Sequence, residues 1–235
     1  DIHVCQPFPI PEHWRIYFTM DYGLDMLAGY WIAVDEMNRG YVVAEVYKPN
    51  LIISDAAKLI RSTTRLLGYR VQEHLAPPDL WNRRQETGKS VADIFREHGI
   101  ILRKTSNDRI DGWMATKEWL KPFKDEQGIT VAPLRIFPTC VNLIRCLPAL
   151  QHHPRKPNDV ATEPHEITHA PDAIRGFCVY RSRGPRKRPP LDEENYREQM
   201  AESAFANNDM CDGYGRSESI DEQFNTIADD SDIWY

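Results

Sequence analysis

The sequence predicts a mixed α/β domain: three antiparallel strands followed by parallel crossovers, with helices on both faces of the sheet. Three observations carry this expectation. Three consecutive segments near the N-terminus alternate apolar and polar residues and are separated by short turns. Helix-spaced apolar positions then separate each later strand-like run from the next, which calls for crossover connections. Finally, 41% hydrophobic residues and six tryptophans in 235 residues supply a substantial core.

The elements follow in order. Residues 1–13 place Pro7, Pro9 and Pro11 at alternate positions, as in an extended linker entering the domain. Residues 15–21 read as a strand with Ile16, Phe18 and Met20 on one face and Tyr17, Thr19 and Asp21 on the other. Strands at 30–34 and 41–47 follow, joined through Asn38-Arg39-Gly40, whose ends tolerate a positive φ. Ser54 reads as the N-cap of a helix whose apolar positions are Ala56, Leu59, Ile60, Thr63, Leu66 and Leu67, with Gly68 as its C-terminal cap. A strand at 69–75 closes on Pro77-Pro78, a helix covers 90–98 and a strand covers 100–104. Asn107 or Asp108 opens a helix towards Leu120; a strand at 134–137 and a helix at 141–150 come next, and a last helix runs from Pro171 to about Tyr180. From residue 183 a basic, Pro-rich stretch gives way to an acidic tail, expected to be loosely ordered or to form a peripheral helix over 195–205.

Charge is divided along the chain. Residues 192–235 carry 13 acidic side chains against Arg197 and Arg216, a net −11, and the remainder carries 27 basic and 22 acidic residues, a net +5. A mildly basic body is compatible with a nucleic-acid partner. No apolar run is long enough for an ordinary transmembrane helix. The five scattered cysteines form no C-x-x-C pair, which argues against a zinc ribbon or a disulfide framework and for reduced thiols in a cytosolic setting.

Three carboxylates lie where rigid backbone can aim them. Asp21 ends the first strand, Asp79 follows the fourth, and Asp172 stands in the first turn of the last helix with His169 just before it. Each alone has an ordinary explanation: a turn acid before Gly23, a loop acid after two prolines, an acid at the positive end of a helix dipole. Their joint placement is what points to a divalent-ion site.

Six ordered stretches extend the argument: Met20-Asp-Tyr-Gly-Leu-Asp25, Pro77-Pro-Asp-Leu-Trp81, Gly88-Lys-Ser-Val-Ala-Asp-Ile-Phe95, Asn107-Asp-Arg-Ile-Asp-Gly-Trp113, Asn142-Leu-Ile-Arg145 and His169-Ala-Pro-Asp-Ala-Ile-Arg175. With them, the segment from Met20 to Arg175 resembles the nuclease domain of bacteriophage large terminases, the motor subunits of DNA packaging. The resemblance implies a ribonuclease H-like domain over 14–182 and an endonuclease that cuts concatemeric double-stranded DNA during packaging. It implies two divalent ions, Mg²⁺ or Mn²⁺, bridged by Asp21 and held on either side by Asp79 and Asp172. His169 would bind a metal weakly or orient the attacking water. Relatives place the second acid before the proline, where this chain has Pro77. Asp79, two residues on, keeps the same face of an extended segment, and Glu73 and Asp25 are the fallback ligands. Lys104, Arg109, Arg183, Arg186, Lys187 and Arg188 are candidates for phosphate contact. The implied partners are double-stranded DNA, an ATPase domain expected upstream of Asp1, a small terminase subunit and a portal, in the bacterial host cytoplasm and away from membranes.

Two other readings stand beside this one. The chain would be a DNA-binding packaging module, inactive without its ATPase domain and partners. Alternatively, His165-Glu166-Ile167-Thr168-His169 matches the H-E-x-x-H zinc-peptidase motif, with Glu193 or Glu194 as third ligand. That motif needs both histidines on one helix, and Pro171 interrupts it. Gly88-Lys89-Ser90 imitates the end of a phosphate-binding loop, but Arg83 stands where its first glycine belongs, so no ATPase site is expected.

Overall fold

The computed structural model describes residues 2–182. The expectations for Arg183, Arg186, Lys187, Arg188, the 195–205 helix, Glu193, Glu194 and the acidic tail lie outside these residues. Strand β1 (Arg15–Tyr22) pairs antiparallel with β2 (Met26–Val34), and β2 with β3 (Gly40–Pro49). Asn38, at φ 63°, supports the tight β2–β3 turn. Helix α1 (Ile53–Leu67) begins earlier than a Ser54 cap implies: Ile52 occupies the N-cap position without a side-chain bond, and Ser54 lies inside the first turn. The apolar stripe explains the difference, since Ile53, Ala56, Ala57 and Ile60 already pack on the sheet. Gly68 ends the helix in the left-handed region at φ 69°, its N–H reaching back to Arg65 and Thr64.

Strand β4 (Val71–Ala76) returns parallel to β1. Helix α2 (Val91–Glu97) is held by a reciprocal cap between Ser90 and Asp93, and Lys89 pairs with Glu97 at 2.6 Å, so the Gly-Lys-Ser stretch leads into a helix. β5 (Leu102–Lys104) runs parallel to β4, and α3 (Arg109–Leu120) is capped by Asp108. Two residues each, β6 (Phe123–Lys124) and β7 (Thr130–Val131) form a small hairpin absent from the sequence reading, being too short to show alternation. β8 (Leu134–Ile136) pairs parallel with β3. The helix expected over 141–150 is α-helical only as α4 (Val141–Cys146); Pro148, which lacks an N–H, leaves Leu147–Ala149 as a 3₁₀ turn. A second small hairpin, β9 (His152–His153) with β10 (Lys156–Val160), precedes α5 (His169–Ser182).

The main sheet therefore has six strands in the order β5-β4-β1-β2-β3-β8. Successive β1 side chains divide the core. Ile16, Phe18 and Met20 pack beneath α1 and α2, while Tyr17 joins Ile174 and Phe177 of α5, Leu143 of α4 and Trp119 of α3 on the opposite face. Residues 4–10 run along this body before a turn at Pro11–Trp14: Cys5 donates its N–H to the Ile136 carbonyl at 3.0 Å, and the Phe8 ring meets Tyr41, Trp14 and Phe137 edge-on.

Candidate metal centre

The topology sets where chemistry can occur. β1, β4 and β5 are mutually parallel, so their carboxyl ends open on the same edge of the sheet, beside the place where β1 pairs parallel on one side and antiparallel on the other. Such a switch point leaves a crevice. A cleft of about 140 Å³ lies there, lined by Met20 and Asp21 from β1, Pro77 and Asp79 beyond β4, Thr105, Ser106 and Asn107 beyond β5, and Asp172, Arg175 and Gly176 from α5. Asp21, Asp79 and Asp172, the three acids named from the sequence, thus share one cleft.

Each reaches it by a different local device. Asp21 lies just beyond the last β1–β4 pair, Thr19 with Leu75, so its carboxylate leaves the sheet where β4 no longer covers it. Asp79 does not sit on an extended segment as expected from the sequence. Pro77 is extended, but Pro78–Trp81 winds into a 3₁₀ turn, and this turn carries Asp79 to the cleft. Asp172 stands in the first turn of α5, where Pro171 leaves no bond unmade and the Asp172 N–H reaches the Thr168 carbonyl at 2.9 Å. α5 itself is tied to β1: buried Thr19 donates its hydroxyl to the Ala173 carbonyl at 2.7 Å.

Electrostatics mark the cleft as a place where charge is concentrated. Burial pushes the Asp21 carboxyl up; its hydrogen bond to His169 opposes this, while the nearby Asp172 and Asp79 push it further. The His169 ring lies between two acids, Nδ1 donating to Asp21 Oδ2 at 2.8 Å and Nε2 to Asp25 Oδ2 at 3.1 Å. The bond to Asp21 raises the His169 pKa against the effect of burial. Asp25 is held low: burial acts upward, but its backbone hydrogen bond and the two histidines beside it outweigh that. Asp172 accepts from Arg175 Nε at 2.9 Å and faces Arg109 Nη1 at 3.7 Å. Asp21, Asp79 and Asp172 line one small cleft, and carboxylate oxygens are hard donors of the kind Mg²⁺ and Mn²⁺ take. Among the described residues, ligand atoms within 4.8 Å of one another occur in Asp25, His165 and His169.

Other residues named from the sequence fall elsewhere. Glu73 pairs with Arg103 at 2.8 Å and does not line the cleft. Arg109 is engaged by Asp159 at 3.0 Å and by the Val160 carbonyl at 3.1 Å, and Lys104 lies over the Trp81 ring, 5.1 Å from its centre. The H-E-x-x-H stretch is split: His165–Ile167 is a 3₁₀ turn and α5 starts at His169, so the two histidines do not share a helix. Arg175 and Asn107 line the cleft without having been named as site residues from the sequence. For Arg175 the available signal was its i,i+3 spacing from Asp172.

No protein-family model matches this chain, and no curated protein sequence matches it. In three dimensions it is similar to the nuclease domain of the P22 large terminase, with a TM-score of 0.58 at 15% identity over 77% of this chain and 88% of that one. It is also similar to the large terminase of a thermophilic bacteriophage, solved in complex with ADP, with a TM-score of 0.59 at 15% identity over 75% of this chain. That match spans 42% of the thermophilic phage protein's length. The mixed sheet and flanking helices of this chain have the ribonuclease H-like fold of phage large-terminase nuclease domains.

Proposed function

We propose that this chain is the nuclease domain of a phage large terminase and hydrolyses double-stranded DNA with divalent metal ions held by Asp21, Asp79 and Asp172. The observation that carries this reading is the convergence of three carboxylates, from three separate parts of the sequence, at the carboxyl ends of β1, β4 and β5. Two bound Mg²⁺ or Mn²⁺ ions would activate a water and stabilise the oxygen that leaves the phosphorus. The reaction adds water across the P–O3′ bond, leaving a 3′-hydroxyl and a 5′-phosphate.

The protein's own part is positioning and electrostatics. Asp21, fixed by β1, would hold metal from within the cleft, with Asp79 and Asp172 as the further ligands. His169 acts on Asp21: its Nδ1 bond to Oδ2 fixes the rotation of the Asp21 carboxylate. Arg175 does the same for Asp172. The buried Thr19–Ala173 bond ties α5 to β1, so that acids from both elements would serve one metal site. In a packaging motor this domain would act on concatemeric DNA beside an ATPase domain, a small terminase subunit and a portal.

Supercoiled plasmid incubated with the full chain and Mn²⁺ tests the reading. Nicking and linearisation that disappear in EDTA and in Asp21→Asn are expected. Intact plasmid with the unaltered chain, or undiminished cutting by Asp21→Asn, would refute it.

A further inference from the structure

On the far side of the His169 ring from the carboxylate cleft, three further ligand atoms meet. His169 Nε2 lies 3.1 Å and His165 Nε2 3.4 Å from Asp25 Oδ2, and all three atoms fall within 4.8 Å of one another. Ligands about 2.0–2.1 Å from a tetrahedral zinc ion stand about 3.4 Å from each other. We propose that Asp25, His165 and His169 form a second metal site, selective for a borderline transition ion with Zn²⁺ foremost, and that water completes its tetrahedron.

Several features of the site suit such an ion. Both histidines turn Nε2 towards Asp25 and are held from behind at Nδ1. For His169 the partner is Asp21 at 2.8 Å; for His165 it is the Thr168 hydroxyl at 3.4 Å. Outer partners of this kind orient metal-bound imidazoles and set which nitrogen is free to ligate. The turn between β1 and β2 leaves room for the acid, since a Cβ on Gly23 would come within 2.7 Å of Asp25 Oδ1. The rings of His165 and His169 lie 4.4 Å apart edge to face, although one belongs to a 3₁₀ turn and the other to α5. With the Asp25 and His165 side chains 55% and 63% exposed, an ion can enter from solvent and keep a water.

The donor chemistry separates this site from the cleft. Two imidazole nitrogens and one carboxylate favour Zn²⁺ over the hard Mg²⁺, whereas the three carboxylates of the cleft favour Mg²⁺ and Mn²⁺. Binding would release the Nε2 proton of His169 to solvent and leave its Nδ1–H on Asp21. The ion would tie the β1–β2 turn to the start of α5 and brace the Asp21 carboxylate through the imidazole. The proposal does not depend on nuclease activity, because zinc binding is read independently of it.

The full chain, stripped with EDTA and dialysed, is titrated with Zn²⁺ against a chromogenic chelator, and with Co²⁺ while the visible spectrum is recorded. One tightly bound Zn²⁺ and the intense bands of tetrahedral Co²⁺ are expected. His165→Ala should weaken zinc by more than about tenfold and abolish those bands, with Asp25→Asn weakening it in the same direction. Asp79→Asn should leave zinc affinity unchanged, and His165→Ala should retain Mn²⁺-dependent nicking. Zinc affinity indifferent to His165→Ala, or lost in Asp79→Asn, would overturn the site. A wild-type chain that binds zinc through His165 but never cuts DNA would leave this site standing and remove the nuclease reading.

Discussion

At Asp21, burial and the charges of Asp172 and Asp79 act together against the ionised carboxylate, and only the neighbouring His169 opposes them. The folded-state pKa therefore lies above the ordinary value of 3.8. Protonated Asp21 favours the folded state, so metal-free protein loses stability as pH rises from the unfolded value through the folded one. The full penalty persists at neutral pH. Asp21→Asn removes that charge while keeping an acceptor for His169. In EDTA at pH 7 its melting temperature should exceed that of the unaltered chain, by about 2–4 °C for each kcal/mol relieved. Its Mn²⁺-dependent cutting should fall by at least about 100-fold. Scanning calorimetry in EDTA and in Mn²⁺ checks this: the unaltered chain should gain stability with the ion and the variant should not, and a variant less stable than its parent in EDTA would contradict the account. That Asp21 and Asp172 share a cleft was legible in the sequence, because a strand end and a proline-marked helix start can be read locally and the terminase-like motifs connected them. Asp25 was only a fallback, since its contact with His169 joins residues 144 apart and leaves no local trace.

At the scale of elements, the cleft depends on how closely helices approach one another. Gly112 of α3 leaves a gap that the Arg175 side chain fills; a Cβ there would lie 2.8 Å from its Cγ and 2.9 Å from its Cδ. Arg175 is buried, stacks near Trp113, carries an Nη1 without a partner among the described residues, and holds Asp172 through Nε. Gly112→Ala gains about 1 kcal/mol of helix propensity and loses a comparable amount to the clash, so overall stability should change by no more than about 1 kcal/mol. Activity should fall by about 10- to 100-fold as Asp172 loses its anchor. Melting and plasmid cutting measured on the same preparation separate the two effects; an unchanged cutting rate would show that Arg175 does not position Asp172. Helix existence was readable from periodicity, but helix starts were not always. Ile53 opens α1 before Ser54 because the apolar stripe that packs on the sheet already begins there, and Pro148 divides a run whose spacing looked continuous. Asp79 was named from an assumed extended segment and arrives instead on a 3₁₀ turn, a local winding that the Pro77-Pro78 pair does not specify by composition alone.

For the whole molecule, strand order does the positioning. Three antiparallel strands followed by crossovers, as the sequence predicted, bring the carboxyl ends of β1, β4 and β5 to one edge and lay the first turn of α5 across it. Neighbouring strands in this arrangement are distant in sequence, so the fold class was legible while the exact company around each acid was not. The same geometry divides His169 between two environments, the cleft through Nδ1 and the Asp25–His165 group through Nε2. Crystals of the full chain soaked in Mn²⁺, with data collected at the manganese absorption edge, test the carboxylate cleft as the ion-binding centre. Anomalous density bounded by Asp21, Asp79 and Asp172 is expected, and Asp21→Asn should lose it. Density absent from that cleft, or confined to other carboxylates, would contradict the assignment.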